Sequence, residues 1–218
     1  MPGEGLLLVM TDIPADIEQE FNRWYDEEHV RDLQAFPGVL SAWRYRIVEG
    51  QPKYMAMYDL ENPGVVETPE YKKVASSSSS TKFPKSFMNI IRGVYQLLLA
   101  LPSPEPTDVS AARVLLLRGL SVEPQHAQEL DEWYNVEHLP NLSRVPGMIR
   151  ARRYKLSAEA SNLKGNPPLY MAAYEMENRE VLESETFQQA VETPWTDRVR
   201  PYFRDPEFRN VYERILPA

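Results

Sequence analysis

Short apolar runs alternate along the chain with amphipathic stretches, and the whole series occurs twice. The runs "EGLLLVMT" and "ARVLLLRGL" have the length of buried strands. Each is followed by a stretch of helical pattern, "PADIEQEFNRWYDEEHVRDLQ" or "EPQHAQELDEWYNVEH", and then by a Pro-Gly turn. Two more strand-like runs, a second helix and a last strand complete each half. The pattern therefore predicts the order β-α-β-β-α-β, repeated once.

The two halves also repeat each other in sequence. At an offset of 109, Trp24-Tyr25, Glu28-His29, Pro37-Gly38 and Arg44-Tyr45 recur as Trp133-Tyr134, Glu137-His138, Pro146-Gly147 and Arg153-Tyr154. Further on, "YMAMYDLEN" recurs as "YMAAYEMEN" at an offset of 116, because the loop "SAEASNLKGNPP" makes the second copy seven residues longer. A period near 110 is too long for a solenoid repeat and indicates two duplicated domains.

The predicted domains are residues 1–101 and 113–218, joined by a Pro/Ser-rich linker over 102–112. Each is predicted to be a ferredoxin-like, split β-α-β unit with helices on one face of its sheet. We expect the fused copies to cover the other faces by packing sheet to sheet, as an α+β intramolecular dimeric α/β barrel. The serine run Ser76 to Ser80, opposite "ETPWT" in the second copy, is predicted to be a polar helix end or loop.

Composition narrows the function classes. The chain of 218 residues has a formal net charge of −8, which disfavours nucleic acid as a partner. It has no cysteine, which excludes disulfides, thiol nucleophiles and cysteine-ligated metals. No apolar run is long enough for a bilayer, and the start of the chain is not typical of a signal peptide. A cytoplasmic protein without a membrane partner is expected.

The Glu-His pair on the first helix of each half is the main candidate for chemistry. On an ideal helical wheel Glu28 and Glu137 fall within the apolar stripe, with His29 and His138 at its edge. A charge aimed at a core is costly unless it is paired or hydrated, so this face is predicted to meet a polar-lined cavity. Imidazole suits general acid/base catalysis near neutral pH, and the glutamate would orient it.

Aromatic residues around the pair are predicted to bind substrate. Tyrosines that alternate onto one strand face could donate a hydrogen bond to a developing oxyanion. The predicted substrate-binding residues are Trp24, Tyr25, Tyr54, Tyr58, Trp133, Tyr134, Tyr170 and Tyr174. A purely structural interpretation stays open: His138 lies near a helix C-terminus, where the dipole favours a cation, and Glu137 could bind the backbone or Arg153.

The run Trp-Tyr-x-x-Glu-His, followed by Leu139-Pro140 and a Pro-Gly turn before a strand, resembles the EthD-like proteins of the dimeric α/β-barrel superfamily. The resemblance covers nearly the whole chain, once in each half. It implies a hydrophobic cavity between sheet and helices. The first copy departs from the pattern, with Val30-Arg31-Asp32 in place of Leu139-Pro140-Asn141 and Ser79 in place of Trp195. The two pockets are therefore expected to differ.

The resemblance implies an enzyme of the lyase, cyclase or isomerase type that needs no cofactor and acts on a small hydrophobic polyketide-like or aromatic carbonyl or phenol compound. His29 and His138 would be acid/base groups, with Glu28 and Glu137 behind them. A non-catalytic binding protein and a cofactor-free or haem monooxygenase are the alternatives. His126 has no counterpart and is expected at the surface. No metal site is predicted, and pairing of two fused barrels as a homodimer stays open.

Overall fold

The structure, a computed structural model, describes residues 3–77, 82–102 and 108–216. The chain divides into two compact units. The first unit comprises residues 1–97, 156–167 and 214–218, and the second comprises 98–155 and 168–213. Residues 103–107 of the predicted linker and Ser78 to Ser80 of the serine run lie outside the described residues.

The first half contains four strands and three short helices. In chain order they are β1 (Gly5–Asp12), α1 (Glu18–Trp24), α2 (Val30–Gln34), β2 (Val39–Glu49), β3 (Tyr54–Leu60), α3 (Pro69–Ala75) and β4 (Met88–Pro102). A π-helical turn, Tyr25–His29, joins α1 to α2 into one continuous helical segment.

The second half repeats this order and adds helices. Its elements are β5 (Val114–Val122), α4 (Ala127–Trp133), α5 (Leu139–Ser143), β6 (Met148–Leu156), β7 (Tyr170–Met176), α6 (Glu180–Glu183), α7 (Glu185–Val191), α8 (Pro194–Val199) and β8 (Phe203–Leu216). A second π-helical turn, Tyr134–His138, joins α4 to α5. In the serine run, predicted to be a polar helix end or loop, Ser76 is the C-cap of α3. Its counterpart "ETPWT" contains the start of α8, which Thr193 caps and whose first turn includes Pro194.

Each half forms an antiparallel four-stranded arrangement. In the first, β1 pairs with both β3 and β4, and β2 pairs with β3. In the second, β5 pairs with β7 and β8, and β6 pairs with β7. All seven residues of β3 and all seven of β7 are buried, so both faces are covered at the centre of each sheet. The predicted α+β class is confirmed.

The Pro-Gly turns end the helical segments as predicted. Gly38 and Gly147 adopt φ values of +91° and +82°, which favour glycine. A Cβ on Gly147 would also lie 2.6 Å from Cγ2 of Val181, and one on Gly38 would lie 2.9 Å from Cγ2 of Val65. Val65 and Val181 lie in the helical segments that follow β3 and β7, so each Pro-Gly turn packs closely against that segment.

In the described part of the chain, none of the helices is both long and apolar enough to cross a membrane.

Candidate active site

The π-helical turns rotate the two histidines onto the buried face of the helix. In an α-helix, residues five positions apart point in different directions, whereas an i→i+5 turn places them one above the other. The ring of His138 therefore stacks on Trp133, with centroids 4.1 Å apart and planes at 26°, and His29 stacks on Trp24 at 4.7 Å and 24°. The helical-wheel prediction, with glutamate inside and histidine at the edge, is wrong for this reason.

The second unit contains a cavity of about 330 Å³ between its sheet and its helices. This volume lies at the lower end of the range for small-molecule sites. His138, Tyr134 and Tyr174 face it together with apolar and aromatic side chains. The wall also includes Leu116, Arg118, Trp133, Leu142, Phe187, Val191, Thr196 and Phe203. The cavity is therefore largely apolar, with a few polar groups that converge on its interior.

His138 is buried in an environment that keeps its ring neutral. Burial, and secondarily the positive charge of Arg118, lowers the pKa of His138 from 6.5 to about 3. Its Nδ1 is buried and has no hydrogen-bond partner among the described residues. A buried polar atom without a partner costs about 1–3 kcal/mol, so each one calls for an explanation. The ring of His138 thus lines the cavity in its neutral form and keeps an unused hydrogen-bonding capacity at Nδ1.

Two phenols flank this imidazole nearly edge-on. The ring centroid of His138 lies 5.4 Å from that of Tyr134 and 6.1 Å from that of Tyr174, with planes at 83° and 86°. Burial and the neighbouring Tyr134 raise the pKa of Tyr174 well above its ordinary value, and burial raises the pKa of Tyr134. Both hydroxyl groups are therefore protonated at neutral pH and can donate hydrogen bonds.

The first unit has a corresponding cavity of about 250 Å³ around His29. Trp24, Tyr25 and Tyr58 line it, and the Tyr58 hydroxyl donates a 3.2 Å hydrogen bond to that of Tyr25. Burial lowers the pKa of His29 to about 4, although Asp32 acts in the opposite direction. His29 is only partly buried. The two cavities thus share a plan but differ in volume and in how deeply the histidine is buried.

Two of the predicted tyrosines lie elsewhere. Tyr54 hydrogen-bonds Glu18 and accepts a 2.9 Å bond from Asn22, and it does not line the His29 cavity. Tyr170 packs under the guanidinium of Arg153, 5.2 Å from the ring centroid, and does not line the His138 cavity. Tyr54 and Tyr170 lie on the predicted face of their strands, but the cavities reach only the second tyrosine of each strand, Tyr58 or Tyr174.

Neither glutamate contacts its histidine. Glu28 is exposed at the surface. Glu137 is partly buried and accepts a 2.5 Å hydrogen bond from the Thr193 hydroxyl, which also lies 3.1 Å from that of Thr196. The Trp133 indole N–H donates to Thr196 at 3.3 Å. The glutamates therefore do not orient the histidines by direct contact. In the second unit Glu137 is linked through Thr193 and Thr196 to the indole of Trp133, on which His138 stacks.

Arginines form the part of the site that the sequence patterns missed. Arg118 lines the His138 cavity, paired with Glu207 and donating a 3.0 Å bond to the carbonyl of Phe208. Arg209 lines the same cavity, and Arg92 lines the one around His29. The repeated "R-x-V-Y" of the last strands could have revealed this second pair, since it places an arginine two residues before a buried valine in both halves.

A third pair of arginines, Arg44 and Arg153, packs its guanidinium groups against tyrosine rings of the two sites. The guanidinium carbon of Arg153 lies 4.5 Å from the ring centroid of Tyr134, and that of Arg44 lies 4.2 Å from the ring centroid of Tyr25. Arg153 also forms a 2.5 Å ion pair with Asp131 on α4. Both arginines are fully buried, so they fix each helix over its sheet.

His126 lies outside both cavities, with its ring stacked on Tyr202 at a centroid distance of 3.9 Å. Trp195 packs under Arg198 and lines neither cavity, while Ser79, its counterpart, lies outside the described residues. Within the described ranges, no group of three or more His, Asp or Glu side chains is placed to hold a metal ion.

Comparison with known proteins identifies the fold. No family model and no curated protein sequence matches the chain. An anthrone oxidase-like protein superimposes with a TM-score of 0.68 at 15% identity, over 97% of this chain and 90% of the other. A provisionally assigned monooxygenase from Fusobacterium nucleatum superimposes with a TM-score of 0.66 at 10% sequence identity, over 98% of this chain and 94% of the other. A point mutant of chlorite dismutase from Candidatus Nitrospira defluvii superimposes with a TM-score of 0.60 at 10% sequence identity, over 98% of this chain and 92% of the other.

These solved structures are dimeric α/β-barrel proteins. At such low identity the likeness establishes the fold and not an activity or a substrate. It extends over nearly the whole of each chain, so it applies to both units. The chain is therefore an α+β protein that shares the dimeric α/β-barrel fold.

Proposed function

We propose that the second unit is a cofactor-independent acid/base enzyme for a small hydrophobic aromatic carbonyl or phenol compound. One observation carries this proposal: a neutral, buried imidazole without a hydrogen-bond partner on Nδ1 faces an apolar cavity beside two protonated phenols. Perturbed titratable groups in a cleft are typical of catalytic sites. A merely structural histidine would have its buried nitrogen satisfied by a neighbour.

The chemistry that fits these groups is proton abstraction next to a carbonyl. A ring nitrogen of His138 takes the proton, the C–H bond breaks, and the electron pair moves onto the carbonyl oxygen. Tyr134 or Tyr174 donates a hydrogen bond to the oxyanion so formed, and the charge of Arg118 stabilises it further. Return of the proton to another atom of the enolate gives isomerisation. Loss of a β-hydroxyl group, which leaves as water with the proton from His138, gives dehydration. Attack of the enolate carbon on a second carbonyl of the same molecule, whose oxygen takes that proton, gives cyclisation.

The low pKa of His138 is compatible with a role as base. A histidine with a pKa of about 3 is weakly basic in the empty cavity, because an isolated imidazolium would be buried beside Arg118. Proton transfer from the substrate creates an enolate at the same time. The two opposite charges then offset each other in a medium of low dielectric constant. The same low pKa keeps the ring unprotonated, and hence able to accept a proton, in mildly acidic solution.

The cavity wall favours a flat apolar substrate. Trp133, Tyr134, Phe187 and Phe203 present ring surfaces on which an aromatic ligand can stack or pack edge-on. One structural relative is an anthrone oxidase-like protein, and a polycyclic aromatic ketone such as anthrone fits this wall. The volume of about 330 Å³ suits a ligand of two or three fused rings.

A cofactor-free monooxygenase is the second candidate, favoured by the oxidase and monooxygenase names of two relatives. It needs the same first step, after which the carbanion transfers an electron to dioxygen, the oxidant. The substrate radical and superoxide then combine to a hydroperoxide, whose O–O bond breaks as water is lost, leaving one oxygen atom on the product as a carbonyl. Haem does not fit the cavity, because a porphyrin is larger than its volume of about 330 Å³. No step is therefore assigned to it.

Solvent-deuterium exchange tests the proposal without knowledge of the product. Anthrone and 1-tetralone, two aromatic ketones with acidic C–H bonds, are incubated with the protein in deuterated buffer under nitrogen, and deuteration is followed by mass spectrometry. We expect exchange of at least one ketone to exceed the buffer rate by about 10²-fold or more. Binding without exchange would show a carrier protein. Oxygen uptake in air would select the monooxygenase, and the visible spectrum tests for haem.

We further propose that the two halves arose by tandem duplication of an EthD-like unit. The matched offset of 109, the two π-helical turns, the equivalent histidine–tryptophan stacks and the paired glycines support this. The first unit has Val9 where the second has Arg118. Duplication followed by divergence of the cavities explains both the shared plan and this difference.

A further inference from the structure

The loop that makes the second copy longer belongs to the first unit. Residues 156–167 contain most of the inserted stretch, and their contacts are with the His29 half of the chain. Asn162 and Lys164 line the cavity around His29. The insertion therefore serves the first cavity and not the one beside which it lies in sequence.

The loop is held at this cavity by several independent contacts. The backbone of Lys164 exchanges two hydrogen bonds with that of Arg92, at 3.0 and 3.1 Å. Glu67 accepts a 2.8 Å bond from the Ser161 amide and a 2.5 Å bond from its hydroxyl. A Cβ on Gly165, whose φ is +61°, would lie 2.2 Å from the carbonyl oxygen of Ile90, so only glycine permits this approach. These contacts fix the loop as part of the wall of the His29 cavity.

The finished cavity carries positive charge without a carboxylate. Arg92 and Lys164 line it, and among the described residues no aspartate or glutamate does so. The Arg92 guanidinium donates to the backbone carbonyls of Asn162, at 2.9 Å, and Ser161, at 3.4 Å, and it interacts with the Tyr71 hydroxyl. None of these hydrogen-bond partners is an anion, and the nearby Glu67, whose charge also acts on Arg92, is bound to Lys72 and Ser161. In the second cavity, by contrast, Arg118 and Arg200 pair with Glu207 and Glu192.

A partly buried guanidinium beside an apolar cavity, whose nearest carboxylate is already bound elsewhere, has unused capacity to bind an anion. Arginine binds carboxylates through two parallel hydrogen bonds, which suits a planar acid. The remaining wall, with Trp24, Tyr58, Phe87 and Ile90, is apolar and aromatic. From this arrangement we infer that the first unit binds a small apolar molecule bearing a carboxylate, with the carboxylate on Arg92 and the apolar body over His29. This second site is independent of the proposed chemistry at His138.

The three histidines of the chain allow each cavity to be observed separately by NMR. The ring signals of His29 report the first cavity, those of His138 report the second, and those of His126 report neither. The probes are 1-naphthoate and its neutral analogue 1-naphthamide. We expect naphthoate to shift the His29 signals at a concentration at least about tenfold lower than naphthamide does, because a charge-assisted hydrogen bond is lost with the amide.

Variants locate the charge that is responsible. Arg92→Met should remove the preference for naphthoate, and Arg92→Lys should retain part of it. Arg23→Met, the matched control at an exposed arginine of α1, should leave it unchanged. The inference is overturned if the two probes shift His29 equally, if neither shifts it, or if Arg92→Met keeps the full preference. All three results are read from binding, so they stand apart from the exchange assay on ketones.

Discussion

Replacement of His138 by glutamine is expected to reduce deuterium exchange into the aromatic ketone by about 10²- to 10⁴-fold, the usual contribution of a positioned general base. Glutamine keeps a polar side chain of similar reach but cannot accept the proton. Because His138 stacks on Trp133 and makes no hydrogen bond through Nδ1, the change removes little else. The rate is measured as kcat/KM under nitrogen, so that oxidation does not consume the substrate.

His126→Gln is the matched control, because His126 stacks on Tyr202 outside both cavities. Its exchange rate should stay within about twofold of the wild type, far below the effect expected of a general base. If His138→Gln retains full activity with the fold intact, the imidazole is not the base. Loss of activity in His29→Gln, with retention in His138→Gln, would show that the catalytic unit has been wrongly assigned.

Mild acid is expected to destabilise the folded protein through its buried histidines. The pKa values of His138 and His29 are lowered from 6.5 to about 3 and about 4, so the unfolded chain binds protons that the folded chain refuses. Stability is therefore fully present above pH 6.5 and falls as the pH drops below that value. At pH 5 the loss is about 2 kcal/mol for each histidine, at about 1.36 kcal/mol per pKa unit.

Urea unfolding at pH 7 and pH 5 measures this loss. In the double variant His29→Gln/His138→Gln most of the difference between the two pH values should vanish, whereas His126→Gln should preserve it. Carboxylates such as Glu67, whose pKa is lowered to about 2 chiefly by Lys72, contribute only at lower pH. An equal unfolding free energy at both pH values in the wild type would contradict the burial of neutral imidazoles.

The fold was largely predictable because its signals are local. Apolar runs of strand length, the Pro-Gly turns at Gly38 and Gly147, and the matched offset of the two halves all act within a few residues or by direct repetition. Helices α6 and α8 were not predicted. Thr193 and Pro194 begin α8 by a capping pattern, but its six residues are too few for a clear amphipathic period.

The sequence pattern singled out several residues that line the cavities, but not their geometry, and Glu28, Tyr54 and Tyr170 line neither cavity. The wheel assumed 3.6 residues per turn, and a single π-helical turn exchanged the positions of Glu137 and His138. Nothing in the periodicity signals that turn. Arg118 was visible as a charge inside the apolar run "VLLLRGL", and its place on the cavity side of β5 follows only from the register of the sheet. The inserted loop was recognised, yet its position in the wall of the His29 cavity depends on tertiary structure.

The central claim is that a neutral, buried His138 is the base, and the pH dependence of kcat/KM for ketone exchange tests it most directly. This parameter reports the ionisation of the free enzyme. We expect a rate that stays level from pH 8 down to about pH 5 and falls only in more acidic solution, since the pKa of His138 is about 3. A rate that falls through pH 6.5, as for an imidazole in water, would contradict the claim, and so would the same profile in His138→Gln.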